Sequence, residues 1–276
     1  MTAVIDLAAI SGVMAATLLL PRIFSNPDGV DPYVVRLSVA ALLMVLATYR
    51  WPKLRQARVL ALAMLAITLS YNIYSGLPYL LGAIGLGSLS YGAGNLVASA
   101  AETLATLAII IFVVRQTSAA QRPGLRFDGF TWPAALTTVA GTAIFLLIFV
   151  AIPAMLLGRL VLEPVALARD AWWLIPANVL QAAAQELQFR GLLLGALDKL
   201  SPPLVANISQ AVLFGLAHIA VQYQGPSVPL IPITVVLGFV LGAVTQRTRS
   251  IWPAIIIHAV ADVVVTAAVI PGIYGS

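Results

Sequence analysis

The sequence contains no cysteine, only two histidines and few charged residues. Without cysteine the chain can form neither a disulfide framework nor a thiol nucleophile, and no metal site in it can use thiolate ligands. Charged residues make up 9% of the 276 residues, whereas 61% are hydrophobic and the mean hydropathy is +1.00. A water-soluble domain of this size could not bury so much apolar surface. The composition therefore predicts a membrane protein with several spans.

Apolar runs long enough to cross a bilayer recur along the whole sequence. A hydrocarbon core of roughly 30 Å requires about 17 to 25 apolar residues in a helix. Such runs lie at residues 3–20, 34–50, 57–75, 92–114, 133–157, 171–197, 204–222, 227–246 and 251–270. The predicted fold class is therefore all-α, a polytopic transmembrane helix bundle with nine spans, or eight if one run does not cross.

The positions of the basic residues predict the orientation, because cytoplasmic connections collect Lys and Arg. With nine spans, one side receives ten basic residues: Arg50, Lys53, Arg55, Arg58, Arg115, Arg122, Arg126, Lys199, Arg247 and Arg249. The other side receives three: Arg22, Arg159 and Arg169. We therefore expect a multi-pass protein of a bacterial cell membrane with a cytoplasmic N-terminus. Since the net charge of +5 follows from this topology, we expect the lipid bilayer and no nucleic acid as a partner.

A polar connection divides the chain into two predicted parts. Residues 115–133 contain two prolines and three arginines, which is typical of a loop. The first part, residues 1–115, holds four spans. Its first apolar run contains Asp6 and lacks preceding basic residues, so we interpret it as a span and not as a cleaved signal peptide. The second part, residues 130–272, holds five spans and most of the ionisable residues within spans.

Ionisable residues inside spans are the candidate functional groups. A charge in hydrocarbon costs at least ~2.5 to 3.5 kcal/mol, so such residues normally face the interior of a bundle. Asp6 and Arg36 lie near span ends, where they can reach the interface. Glu102 lies deeper but alone on its helix. Both a structural hydrogen-bonding role and a functional role stay open for Glu102.

Three pairs of residues, spaced four apart on three predicted helices, can face one layer of the bundle. The pairs are Glu186 with Arg190, Phe214 with His218, and His258 with Asp262. Such a layer could activate water, with a carboxylate as proton acceptor, one histidine orienting the water and the other stabilising an oxyanion. The alternative is a divalent metal such as zinc, held by Glu186, His218 and His258.

The segments QELQFRG (185–191), FGLAH (214–218) and GFVLGAVTQRTRSIWPAIIIHAVAD (238–262) resemble the three motifs of the CPBP family. These are the CAAX proteases and bacteriocin-processing proteins, also called Abi, and include proteins like CAAX prenyl protease 2 and lysostaphin resistance protein A. The resemblance covers about residues 130–270 and keeps the order and spacing of the motifs. It implies an all-helical intramembrane endopeptidase that acts on a membrane-anchored protein or peptide.

The first motif departs from the family at one position. In the family it opens with two glutamates and continues, after two variable residues, with Phe, Arg and Gly. Glu186, Phe189, Arg190 and Gly191 match this pattern, but Gln185 occupies the position of the first glutamate. The family's first glutamate is its proposed water activator, so the resemblance places the main anomaly of the sequence at the centre of the chemistry.

The other two motifs match without such a departure. The resemblance implies that His218 works with residue 185, that His258 and Asp262 complete the site, and that Phe189, Arg190 and Phe214 support it. It also permits water activation by Glu and His alone. We therefore favour no cofactor, and zinc remains the alternative.

Gln185 leaves three explanations open. Glutamine has no carboxylate and cannot act as a general base at neutral pH. The residue could be an engineered change, a natural divergence in which Glu186 takes over, or the mark of a pseudoprotease or membrane scaffold that binds a partner without cutting it. We favour divergence, although Glu186 points about 100° away from residue 185 on a helix. Pairing with Arg190 is therefore the expected role of Glu186.

Overall fold

The computed structural model describes residues 32–85, 91–116, 131–157, 169, 172–218 and 231–269. These residues are almost entirely helical and contain no strand. The all-α prediction is therefore confirmed for this part of the chain. The first predicted span, residues 3–20, lies outside the described residues.

Nine α-helices follow one another along the described ranges. They are α1 (Pro32–Arg50), α2 (Arg58–Ala83), α3 (Tyr91–Gln116), α4 (Trp132–Leu157), α5 (Leu174–Glu186), α6 (Leu194–Leu197), α7 (Pro203–Ala217), α8 (Ile231–Thr248) and α9 (Trp252–Val269). A 3₁₀ helix, Pro52–Ala57, precedes α2, and a π-helical segment, Leu187–Leu193, joins α5 to α6. The helices overlap the eight predicted runs from 34–50 onward.

Three stretches among the described residues are long and apolar enough to cross a membrane by length and composition. They are Pro52–Tyr74, Ala93–Gln116 and Ile231–Thr248. Shorter apolar helices occur at Ser38–Arg50, Trp132–Leu146, Pro203–Ala217 and Trp252–Thr266. A bundle of transmembrane helices is consistent with these lengths, and the number of spans stays a prediction.

Proline defines the start of α7. Pro202 adopts an extended backbone with φ −56° and ψ 145°, and Pro203 occupies the first turn of the helix. Proline is favoured there because the first backbone N–H groups of a helix have no intrahelical acceptor. The turn that ends at Pro202 returns the chain from α6, so that α7 packs against both α6 and α8.

The α5 helix and the π-helical segment lie at the centre of the bundle. α5 packs against α3 on one side and α9 on the other, and the π-helical segment contacts α2. Every residue from Leu187 to Leu197 is buried. A helical segment that is buried all round must place its polar side chains against other protein groups. The polar residues of the first motif therefore lie in the interior.

Candidate active site

Glu186 is the centre of a buried polar cluster. Its Oε1 atom lies 2.7 Å from Arg190 Nη1 and 2.7 Å from His258 Nδ1. The three side chains are no more than 1% exposed. Glu186 and Arg190 thus form the ion pair that their spacing predicts, and His258 of α9 contacts the same oxygen. A buried carboxylate needs such partners, because an unpaired charge in the interior is costly.

His258 is held between two carboxylates. Its Nε2 atom lies 3.4 Å from Asp262 Oδ2, while Nδ1 contacts Glu186. The Asp262 side chain is 27% exposed, whereas His258 is buried. Contacts on both ring nitrogens fix the plane of the imidazole. The Nε2 side is the more open one, since its contact is long and its partner is partly exposed.

Arg190 connects three elements around the cluster. Its Nη2 atom donates to the backbone oxygen of Gly238 on α8 at 3.1 Å. Its guanidinium carbon lies 4.3 Å above the ring centre of Phe214 on α7, a cation–π geometry. Gln210 of α7 donates to the same Gly238 oxygen at 2.8 Å. Arg190 therefore positions Glu186 and also ties the π-helical segment to α7 and α8.

Phe214 packs against both histidines. Its ring centre is 4.6 Å from that of His218 and 5.4 Å from that of His258. Phe189 meets it edge to face at 5.2 Å. These separations are typical of aromatic pairs in contact. The predicted supporting residues Phe189 and Phe214 thus form the apolar wall between the two histidines.

His218 is the C-cap residue that follows α7 and is partly buried. Its Nδ1 atom lies 2.7 Å from the backbone oxygen of Phe214. Because a carbonyl oxygen can only accept, Nδ1 carries the hydrogen in this contact. In the neutral ring Nε2 is then an acceptor. His218 can therefore receive a hydrogen bond from a water molecule.

Gln185 is partly buried and occupies a separate face of α5. Its Oε1 atom is buried and has no hydrogen-bond partner within the described ranges. Glu186 lies about 100° to one side of it, as 3.6 residues per turn requires, whereas Gln188 already belongs to the π-helical segment. Glu186 contacts α9 and Gln188 contacts α3. Gln185 therefore faces the groove between α3 and α9.

Glu102 and Gln188 are polar residues of the same layer that the motifs did not assign. Gln188 Nε2 donates to Thr106 Oγ1 at 2.9 Å and lies 3.4 Å from Glu102 Oε1. Thr106 pairs in turn with Ser70 of α2 at 3.0 Å. The depth of Glu102 in its run and the position of Gln188, three residues after Gln185, were the available signals. Neither signal identifies α3 as a neighbour of α5.

These contacts connect all predicted site residues apart from Gln185, which faces the groove between α3 and α9. A search of the described residues finds no group of three or more His, Cys, Asp or Glu side chains that could hold a metal ion. The ligand set Glu186, His218 and His258 therefore gains no support as a metal centre from this part of the chain.

Comparison with known proteins agrees with the motifs. Residues 167–264 match the family model described as type II CAAX prenyl endopeptidase Rce1-like. The match confirms the resemblance to CAAX proteases and supports a CAAX protease function in general for this integral membrane protein. No curated protein and no solved structure gives a significant match. The matched range contains every predicted site residue and excludes α1 to α4, and with them Glu102.

Proposed function

We propose that the protein is an intramembrane endopeptidase of the CAAX-protease type. It hydrolyses a peptide bond near the C-terminus of a membrane-anchored protein or peptide. The observation that carries this proposal is the contact of Glu186 Oε1 with both Arg190 and His258 inside an apolar bundle. The family match over residues 167–264 gives the same reaction class independently of that geometry.

In this proposal His258 stabilises the oxyanion. Two carboxylates hold its ring, and its Nε2 side is the partly open one. The substrate carbonyl approaches from that side, and the Nε2–H group donates to the oxygen as negative charge develops on it. A fixed donor in a site without bulk water is typically worth about 100 to 1,000-fold in rate. Asp262 orients this donor and lies at the entrance.

His218 and Gln185 hold the attacking water. Nε2 of His218 accepts one hydrogen bond, since Nδ1 donates to Phe214. The NH₂ group of the Gln185 amide donates a hydrogen bond to the water oxygen, which leaves the second hydrogen of the water for a base. The water oxygen bonds to the carbonyl carbon while the water gives a proton to a base of the site. The C–N bond then breaks, and the leaving nitrogen takes that proton from the base. Glu186 acts as a positioning residue because Arg190 and His258 occupy its Oε1 atom.

A second function is favoured by Gln185 itself. Without a carboxylate at this position the pocket could bind a membrane-anchored C-terminus and leave it uncut. The protein would then be a pseudoprotease or a membrane scaffold. The buried cluster of Glu186, Arg190 and His258 would serve to shape the pocket. Binding and cleavage must therefore be measured separately.

The test uses purified full-length protein in liposomes. The probes are peptides that end in a farnesylated cysteine followed by three residues, which is the chemistry of a CaaX terminus. Matched peptides without the lipid serve as controls. Mass spectrometry measures the released C-terminal tripeptide, and fluorescence anisotropy measures binding. Release that His218→Ala abolishes supports the endopeptidase. Binding without release, under conditions in which the protein stays folded, supports the scaffold and rejects the endopeptidase.

A further inference from the structure

The attacking water must lose a proton. In the proposed site His218 Nε2 accepts one of its hydrogens, and both carboxylates of the family-matched motifs hold His258. The amide of Gln185 is not basic at neutral pH. Glu186 uses Oε1 for Arg190 and His258; its Oε2 is also buried without a partner among the described residues, but the side chain points toward α9 and not along the face of Gln185. Asp262 orients His258 from the partly exposed entrance of the site. A carboxylate outside the matched range has to be considered.

Glu102 is such a carboxylate. It lies on α3 and is 4% exposed. Oε1 faces Gln188 Nε2 at 3.4 Å, while Oε2 is buried and has no hydrogen-bond partner in the part of the chain that the structure describes. Buried polar atoms are nearly always hydrogen-bonded, either to protein or to water. An acceptor of this kind at a helix interface is suited to receive a hydrogen from a water molecule.

Glu102 lies at the level of Gln185 along α5. The residue after it, Thr103, donates through Oγ1 to the backbone oxygen of Leu180 at 2.9 Å. Glu102 itself reaches Gln188. These two contacts bracket residue 185 from either side along the helix axis. Glu102 therefore belongs to the same layer as Gln185, although 83 residues separate the two positions in the sequence (185 − 102).

Glu102 also faces the same groove. Gln185 points between α3 and α9, since Gln188 contacts α3 and Glu186 contacts α9. Glu102 borders this groove from α3, and Asp262 borders it from α9, close enough for the two carboxylates to interact electrostatically. The groove is thus lined by a residue from each of the three helices. Its open end is at Asp262, which is 27% exposed.

We propose that Glu102 is the general base of this site, in place of the carboxylate that position 185 lacks. The inference rests on the proposed endopeptidase function. A water molecule held by the Gln185 amide transfers a proton to Glu102 Oε2 while its oxygen bonds to the scissile carbonyl carbon. The C–N bond then breaks, and the proton passes from Glu102 to the leaving nitrogen. Glu102 ends the cycle as a carboxylate.

The competing interpretation is that Glu102 only anchors Gln188. A glutamine at position 102 has nearly the same shape and still offers an amide oxygen to Gln188. Glu102→Gln therefore removes the basicity and keeps the anchor. Thr106→Val is the matched control, because it removes the 2.9 Å hydrogen bond of Gln188 and leaves the carboxylate in place.

The experiment measures kcat and KM for the farnesylated peptide with wild type, Glu102→Gln, Thr106→Val, Gln185→Glu and the double variant Glu102→Gln/Gln185→Glu. We expect Glu102→Gln to lower kcat at least ~100-fold, with KM within about threefold, as loss of a general base does. Thr106→Val should cost less than about tenfold. The double variant should regain activity relative to Glu102→Gln, because it restores one carboxylate to the groove.

Other results overturn the inference. Glu102 is not the base if Glu102→Gln retains a third or more of the wild-type kcat. The same conclusion follows if Thr106→Val lowers kcat as strongly as Glu102→Gln does. Product from Gln185→Glu but none from wild type rejects Glu102 and leaves the endopeptidase proposal standing. No product from either protein rejects both proposals. If Glu102→Gln does not fold, the pH–rate profile of wild type decides: a kcat that does not fall as the pH is lowered shows that no group has to be deprotonated for the reaction, which rejects Glu102.

Discussion

Replacing Arg190 by methionine tests whether the buried cluster holds the bundle together. Methionine has a similar length but no charge. The substitution removes the guanidinium and with it the 2.7 Å contact with Glu186, the 3.1 Å hydrogen bond to Gly238 and the cation–π contact with Phe214. Removing one partner of a buried ion pair typically costs about 3 to 5 kcal/mol, because the other charge is left without compensation.

The neighbouring contacts place the expected loss at the lower end of that range. Glu186 keeps His258 Nδ1 at 2.7 Å, so its charge is not fully isolated. The backbone oxygen of Gly238 keeps Gln210 as a donor, so no additional buried acceptor is orphaned. Loss of the cation–π contact adds about 0.5 to 2 kcal/mol. We expect Arg190→Met to lower the free energy of unfolding by about 3 to 5 kcal/mol in total.

The assay is reversible unfolding in mixed micelles with increasing denaturing detergent, followed by circular dichroism. A double-mutant cycle with Glu186→Gln gives the coupling between the two residues. The neutral amide removes the uncompensated charge, so Glu186→Gln in the Arg190→Met background should recover at least about 1 kcal/mol. A loss below about 1 kcal/mol for Arg190→Met, or strictly additive effects in the cycle, would refute this account of the cluster.

Three further predictions follow from the site. In the Glu102→Gln background, Gln185→Glu should raise kcat by about 100 to 10,000-fold, measured by tripeptide release, whereas the same change combined with His218→Ala should stay near background, since the carboxylate then lacks its partner. Gly238→Ala should lower the free energy of unfolding by about 1 to 3 kcal/mol, because a Cβ at this position would lie 3.0 Å from Phe214 Cδ1 and 3.1 Å from Ala211 Cα of α7. Thermal unfolding measures the loss, and Gly76→Ala is the control, since a Cβ there would meet no atom within 4 Å. Chelators should leave kcat unchanged, and a stoichiometric zinc that disappears with His218→Ala would reverse our preference for side chains alone.

The helices could be predicted because their signals are local. Apolar runs of sufficient length mark their interiors, and prolines such as Pro203 mark their beginnings. The contact between Glu186 and Arg190 also follows from local geometry, since residues four apart share a helix face. The same is true of His258 and Asp262. Phe214 and His218 form a third such pair, so six of the eight site residues are paired by helix periodicity alone, before any tertiary contact is known.

Contacts between helices could not be predicted in this way. Glu102 and Gln188 are 86 residues apart, and hydropathy does not tell which helices pack side by side. The π-helical segment Leu187–Leu193 has no composition that distinguishes it from an α-helix, although such segments occur often at functional sites. The acceptor of Arg190 on α8 is a backbone oxygen, which no residue type reveals.

The charges of the layer suggest why a neutral residue suits position 185. This layer already contains three carboxylates, those of Glu102, Glu186 and Asp262. It also contains the guanidinium of Arg190 and the imidazole of His258, which contacts both Glu186 and Asp262. A fourth carboxylate would add repulsion in a medium where charges interact strongly. Gln185→Glu should therefore lose stability. The double variant Glu102→Gln/Gln185→Glu keeps the number of carboxylates at three, so its stability should exceed that of Gln185→Glu. If the double variant is instead the less stable of the two, Glu102 has a structural role that its charge does not explain.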